Sequence, residues 1–267
     1  MDIRIHPVAG MPGCVCLAVD NTTQTTLDLA DPAHLVDEYT SHIGYLLDAA
    51  APPREPLRVL HLGAGGLALA RYVAATRPRS YQQAVEVDPE VVSLVRREAP
   101  LGKGVRVKIR IGDARDQLQK APDACYQVII ADLFSGPTTP AHVTTVEFFT
   151  QVSRVLRPGG YFAMNVCDGG RLTFTRGVAA AVQTVFNDAA ALVEPGVQRG
   201  RRFGNIVLFA AKHKLPVAEL ARRAAGSDFP SRLLHGPELD RFRGGARPAV
   251  DIDASPSPTP PAGRLSW

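Results

Sequence analysis

The 267 residues are 45% hydrophobic and carry a formal net charge of +4, enough apolar chain for a substantial core in one large domain or one domain plus a small satellite. The basic residues are dispersed, Arg199, Arg201 and Arg202 and then Arg241, Arg243 and Arg247 being the densest groups, so they read as solvated surface and not as a nucleic-acid site. No apolar run approaches the ~20 residues that cross a bilayer, the N-terminus lacks the order of a secretory signal, and four cysteines read as reduced core residues of a cytoplasmic protein, too sparse for a disulfide framework or a zinc site.

In chain order, residues 1 to 30 predict a small β region. Ile3-Arg-Ile5 alternates, Cys14 to Val19 is apolar, Asp20-Asn21 signals a turn, and Gln24 to Leu29 supplies a returning strand. Asp31-Pro32 predicts a helix capped by Asp31 and running to Ala50, with Leu35, Tyr39, Ile43 and Leu46 on its buried face. Ala51-Pro-Pro53 ends it and divides a first region, 1–52, from a main domain, 53–243.

From Leu57 strands and helices alternate: strand 58–62, helix 66–75, strand 81–86, helix 89–98, strand 105–110, short helix 114–119, strand 126–131, helix 144–156, strand 160–166, helix 172–189, and strands 190–194 and 205–211. Such alternation implies right-handed crossovers and a mostly parallel, seven-stranded sheet covered on both faces. Pro195 to Gly204 leaves no room for a helix, so the last two strands are expected as an antiparallel edge hairpin. Short helices over 216–225 and 237–242 follow, and 244–267, with its Ser-Pro-Ser-Pro-Thr-Pro-Pro run, is expected to be a disordered tail.

In open α/β sheets ligands bind beyond the carboxyl ends of the strands. After the first strand, Gly63-Ala64-Gly65-Gly66 lets a ligand approach the backbone, and the next helix aims free N–H groups at it. The second strand ends in Glu86-Val87-Asp88, about twenty residues after the glycines, where a carboxylate accepts from ribose hydroxyls. Gly112-Asp113-Ala114 places an acid for an adenine amino group, Asp132 ends the fourth strand, and Asp168 follows the fifth. One such acid reads equally as a helix cap; several in register read as a nucleoside site.

With Arg157-Pro-Gly-Gly160 before a strand and the terminal hairpin, this set resembles the class I, Rossmann-like fold of S-adenosylmethionine-dependent methyltransferases. Over residues 15 to 212 it looks most like the spermidine synthase-like branch, related to the polyamine aminopropyltransferases. Gln24, Asp37-Glu38-Tyr39-Thr-Ser-His42, Val85 to Asp88, Gly112 to Ala114, Tyr126 to Asp132, Glu147-Phe-Phe and Leu156 to Gly160 carry that likeness. The resemblance implies cofactor contacts from Gln24, Gly63, Ala64, Gly65, Gly66, Glu86, Val87, Gly112, Asp113, Ala114 and Asp132. Tyr39, Ser135 and Asp168 are the expected acceptor contacts. Asp132 is the first candidate for orienting the reactants, and His42, with an ordinary pKa of about 6.5, is a candidate base, though it reads equally as a packed helix residue. A homodimer, a small-molecule acceptor and no metal are also implied.

The departures concern the acceptor. Gly66 or a neighbour stands where spermidine synthases carry an aspartate for the aminopropyl amine, Ser135 replaces the second acid of the catalytic loop, and Ser41 replaces an amine-contacting tyrosine. A diamine needs carboxylates at both ends of a dry site. The expectation is therefore S-adenosylmethionine as donor and a methyl or other alkyl group moved to a small nucleophile. The alternatives are aminopropyl transfer from decarboxylated S-adenosylmethionine, and a nucleoside-binding homologue without turnover.

Overall fold

The structure is a computed structural model that describes residues 2–20 and 22–261. Asn21 of the expected turn and residues 262–267 of the expected tail lie outside the described residues. Strands β1 (Ile3–Pro7), β2 (Cys14–Val19) and β3 (Thr22–Asp28) form an antiparallel sheet. Helix α1 (Glu38–Ala49) begins six residues later than the Asp31 cap suggests, after Asp37. Asp31 accepts from the N–H of Ala33 at 3.0 Å and makes only a turn. Asp37 precedes the helix, and its carboxylate is taken by β3, accepting from the Thr26 N–H at 2.7 Å and the Thr25 hydroxyl at 3.1 Å. That tie fixes β3 beside the start of α1.

The larger unit follows as β4 (Arg58–Leu62), α2 (Ala68–Thr76), β5 (Tyr81–Glu86), α3 (Pro89–Glu98), β6 (Val107–Ile111), α4 (Ala114–Lys120), β7 (Tyr126–Ala131), a 3₁₀ turn (Ala141–Val143), α5 (Val146–Val155) and β8 (Leu156–Asp168). Then come α6 (Thr173–Val185), β9 (Asp188–Val193), α7 (Pro195–Gln198), β10 (Gly204–Ala211), α8 (Val217–Ala225), β11 (Arg232–His235) and α9 (Pro237–Arg243). The sheet order is β11-β9-β10-β8-β7-β4-β5-β6, parallel from β8 to β6 and antiparallel at β10, β9 and β11. This is the Rossmann-like methyltransferase architecture with eight strands, one more than expected. The added β11 is only four residues long, too short for an alternating pattern to show. The β9–β10 connection holds one helical turn where none was expected, its first N–H groups at Gly196 and Val197 capped by the Glu194 carboxylate at 2.8 and 2.9 Å.

Apolar side chains fill both faces of the sheet. Phe148, Phe149 and Phe162 anchor the layer under α4, α5 and α6, and Ile43, Leu46 and Phe209 the layer under α1, α2 and α8. Leu17 of the small sheet packs with Leu67, Ala70, Val91 and Leu94, so β1–β3 close over α2 and α3. No described helix is long and apolar enough to cross a membrane.

Residues 244–261 are not the expected loose tail. The Ala249 carbonyl accepts from the Val146 N–H at 2.9 Å, and Ser257 and Thr139 pair through two bonds of 3.0 and 2.9 Å. A composition unable to form a core needs none when it lies along existing elements that supply its hydrogen-bond partners.

Candidate functional site

The strand order reverses between β4 and β7, and the crevice there opens into a cavity of about 490 Å³. The β4 end is locked to both neighbours, the Asp132 N–H after β7 donating to the Leu62 carbonyl at 2.8 Å and the Gly63 N–H to the Val85 carbonyl of β5 at 2.9 Å. Gly63 has φ +86°, and a Cβ there would lie 2.0 Å from the Asp132 carbonyl oxygen. Only glycine fits. At Gly66 a Cβ would stand 2.7 Å from Thr25 Cγ2 and 3.0 Å from Leu27 Cδ2, so β3 presses on the very place where an acid is missing.

One end of the cavity is built from capped carboxylates. Glu86 Oε2 accepts from the N–H groups of Ala64 and Gly65, both at 3.1 Å, and its Oε1 from the Asp88 N–H at 3.1 Å. The acid expected at a ribose thus also splints the glycine turn. Asp113 caps α4, its Oδ1 accepting from Arg115 and Asp116 at 2.8 and 3.2 Å, while Oδ2 meets His142 Nε2 at 2.9 Å. Burial opposes ionisation of Asp113, but the bonds from His142 and from those backbone N–H groups outweigh it and hold its carboxyl below the usual range. Gln24, Val87, Gly112 and Ala114 also line this cavity.

The other end is deeper. Asp132 is pushed up to about 6, chiefly by burial and further by the nearby Asp37 and Glu86 charges, against the stabilising hydrogen bond of Asn165. Asn165 Nδ2 donates to Asp132 Oδ1 at 3.0 Å. The Tyr39 hydroxyl donates to the Gln24 carbonyl at 3.1 Å, and burial raises its pKa well above the ordinary value. Asn165 Oδ1 and Asn205 Oδ1 are buried without a partner among the described residues, and both residues line the cavity. Facing a cavity, these two oxygens are free to accept from a ligand.

His61 adds a fixed tautomer. Gln82 Nε2 donates to the Ala70 carbonyl at 3.0 Å, so Gln82 Oε1 must accept from His61 Nε2, 2.9 Å away. Nδ1 is then left as the bare acceptor of this cavity-lining ring. Burial lowers the His61 pKa to about 4. The ring is neutral at physiological pH.

Two expected site residues are not brought to the cavity. His42 lies on the buried side of α1, its ring 5.8 Å from that of Tyr45, and burial lowers its pKa to about 4. It does not line the cavity, and its place is that of a packed helix residue. Asp168 points to the opposite face of β8 from Asn165 and Cys167, because successive strand residues alternate. It is 1% exposed and accepts from the Thr175 N–H and hydroxyl, both at 2.9 Å, holding the first turn of α6. Ser135 does line the rim, exposed in a turn closed by its N–H to the Thr138 carbonyl at 2.8 Å.

His61, His142, Asn165 and Asn205 were missed. A polar residue interrupting an apolar strand, as in Leu60-His-Leu62 and Met164-Asn-Val166, was the available signal. The described lining contains four carboxylates, Glu86, Asp88, Asp113 and Asp132, and neither Lys nor Arg.

Residues 33–199 match the family model of the spermine/spermidine synthase domain. A crystal structure of a "probable spermidine synthase" from Corynebacterium glutamicum superimposes with a TM-score of 0.86 and 30% identity over 93% of this chain and 92% of that one. Human methyltransferase-like protein 13, solved in complex with SAH, has a TM-score of 0.54 and 24% identity over 80% of this chain and 93% of that one, which speaks to the fold alone. A polyamine aminopropyltransferase of Chromobacterium violaceum is 30% identical over 152 residues, 56% of each chain. This chain spans about half the length of the curated relatives it matches.

Proposed function

The chain belongs to the spermine/spermidine synthase domain family, and from that premise we propose that it moves an alkyl group from a sulfonium nucleoside of the S-adenosylmethionine kind to a small nucleophile. The observation that carries the reading is Asp132, a largely enclosed acid at the switch point, held by Asn165 and lining the same cavity as the glycine turn. The residues present suit such a ligand. A cavity near 490 Å³ falls inside the ~300–1,000 Å³ of small-molecule sites. Three of about four acceptor positions of the Glu86 carboxylate are used by backbone N–H groups, leaving one for a ribose hydroxyl. His142 and Asp113 stand at the end that would receive the base.

A bound sulfonium nucleoside supplies an electrophilic carbon beside a positively charged sulfur. The chain's own residues orient and deprotonate. With a pKa of about 6, Asp132 is mostly ionised at neutral pH yet basic enough to draw a proton from the attacking group. Asn165 fixes its carboxylate plane, and the free Oδ1 atoms of Asn165 and Asn205 accept hydrogen bonds from that group. Alignment supplies much of the remaining acceleration.

S-Adenosylmethionine is the donor favoured by Gly66, which offers no acid for a bare aminopropyl amine and where any Cβ would press on the Thr25 and Leu27 side chains. A second reading, aminopropyl transfer from the decarboxylated donor, is favoured by a lining that holds four carboxylates and no Lys or Arg, since a donor carboxylate then has only the helix N-terminus as partner. Calorimetric titration with each donor, followed by incubation with cell extract, separates them. Preference for S-adenosylmethionine with release of S-adenosylhomocysteine supports methyl transfer. Preference for the decarboxylated donor with release of methylthioadenosine overturns it. Binding with neither product leaves a nucleoside-binding protein.

A further inference from the structure

Beyond α9 the described chain runs along the residues that flank the nucleoside end of the cavity. Its hydrogen bonds over 249–257 converge there. The Asp251 carboxylate accepts two bonds from the Arg115 guanidinium, at 2.7 and 2.5 Å, and one from the Thr145 hydroxyl at 2.7 Å. Its own N–H donates to Glu147 Oε2 at 3.1 Å. On either side, Ala249 bonds to Val146, and Ser257 pairs with Thr139.

These partners do not line the cavity themselves but flank or bond residues that do. Pro140, His142 and Val143 line the cavity. Arg115 also donates to the His142 carbonyl at 3.1 Å, while His142 Nε2 meets Asp113. Thr145 caps α5, accepting from the Phe148 N–H at 3.2 Å with the same hydroxyl it offers to Asp251. The segment contributes little apolar burial of its own, Ile252 being 94% exposed. Polar bonds centred on one carboxylate hold it, and that carboxylate is pulled down to about 2 by its bonds to Arg115 above all.

We propose that Asp251 is a positioning residue for the nucleoside site, the bolt of a C-terminal strap that holds residues 139–147, and through them His142 and Asp113, in the geometry that receives the base. The proposal rests on the nucleoside-binding reading above. A wall with several arrangements binds only from the competent one, so its apparent affinity falls by the competent fraction. Coupling of this kind is reciprocal: ligand must also tighten the strap.

The test uses the full chain and S-adenosylhomocysteine as probe. In the unsubstituted protein, saturating probe slows amide exchange over 139–147 and over 249–257. Asp251→Asn keeps the shape but loses the charge. It is expected to bind the probe about tenfold more weakly, to lose the probe-dependent protection of 249–257, and to keep its far-UV spectrum. The Arg115→Ala/Asp251→Ala pair weakens binding by less than the product of the two single changes, because the two share one ion pair while each also loses a bond of its own. Should Asp251→Asn fail to fold, Ser257→Ala, which removes only the acceptor for the Thr139 N–H, weakens probe binding in the same direction by a smaller factor. Probe affinity within twofold in the folded Asp251→Asn protein, with exchange coupling intact and only the melting temperature lowered, overturns the proposal and leaves a purely structural contact. Absence of probe binding in the unsubstituted protein instead overturns the nucleoside reading, and this proposal with it.

Discussion

The two ends of the cavity are built in opposite ways. At the end proposed for the nucleoside, Glu86 and Asp113 are carboxylates already satisfied by backbone N–H groups of the turns they cap. At the far end, Asp132 is lifted to about 6 by burial, and the carbonyl oxygens of Asn165 and Asn205 have no partner among the described residues. The first end is a piece of secondary-structure chemistry and would stand much the same without ligand. The second carries unpaired polar atoms in a poorly hydrated place, an arrangement that costs stability. Sites of reaction commonly show that trade.

Four changes break or sharpen this contrast. Gly63→Ala attacks the seam between the ends. With φ +86° and a Cβ 2.0 Å from the Asp132 carbonyl oxygen, it is expected to destabilise by ~3 kcal/mol or more and to abolish binding at both ends, read by urea unfolding and calorimetry. Asp132→Asn attacks the deep end alone. Turnover is expected to fall by ~10²–10⁴-fold while nucleoside affinity stays within a few-fold. In the unsubstituted enzyme turnover rises with pH through about 6 as Asp132 loses its proton; that limb disappears in the variant.

The pH dependence of stability separates His42 from the site. His42 and His61 both titrate near 4 when folded, against about 6.5 when unfolded. Between those values the unfolded chain binds more protons, so each lowers stability as pH falls, by ~3 kcal/mol when pH reaches 4. Asp132 acts in the opposite sense over pH 6 to 4, since its folded pKa is raised. His42→Leu is expected to flatten the acid-side loss by about one histidine's share, measured by urea unfolding at pH 7 and pH 4.5, with turnover unchanged. Altered turnover would return His42 to the reaction.

Asn205→Leu is the smallest change. It removes an unpartnered buried carbonyl, so the protein is expected to gain ~1 kcal/mol while the acceptor KM rises. Equal loss of stability and affinity would show that Asn205 serves packing alone.

The order of strands and helices was legible because apolar runs and helix signals alternate at regular spacing from Leu57 onward. So were the caps at Glu86 and Asp113, where an acid precedes or follows a turn. Less legible were elements held by partners distant in sequence. The α1 start moved because β3 claims Asp37, and β11 forms only by pairing with β9. The Pro-rich segment, unremarkable as sequence, is ordered by Arg115, Thr139 and Thr145.

Sequence alone settled which strand ends carry glycine and acid, since turn and cap chemistry is local and depends on neighbours a few residues away. It could not decide which face of β8 Asp168 or Asn165 would take, that β3 would seat itself over Gly66, or that Asp132 would be lifted toward neutrality. Those outcomes depend on burial and on contacts between residues far apart in the chain, and only the folded molecule brings them together.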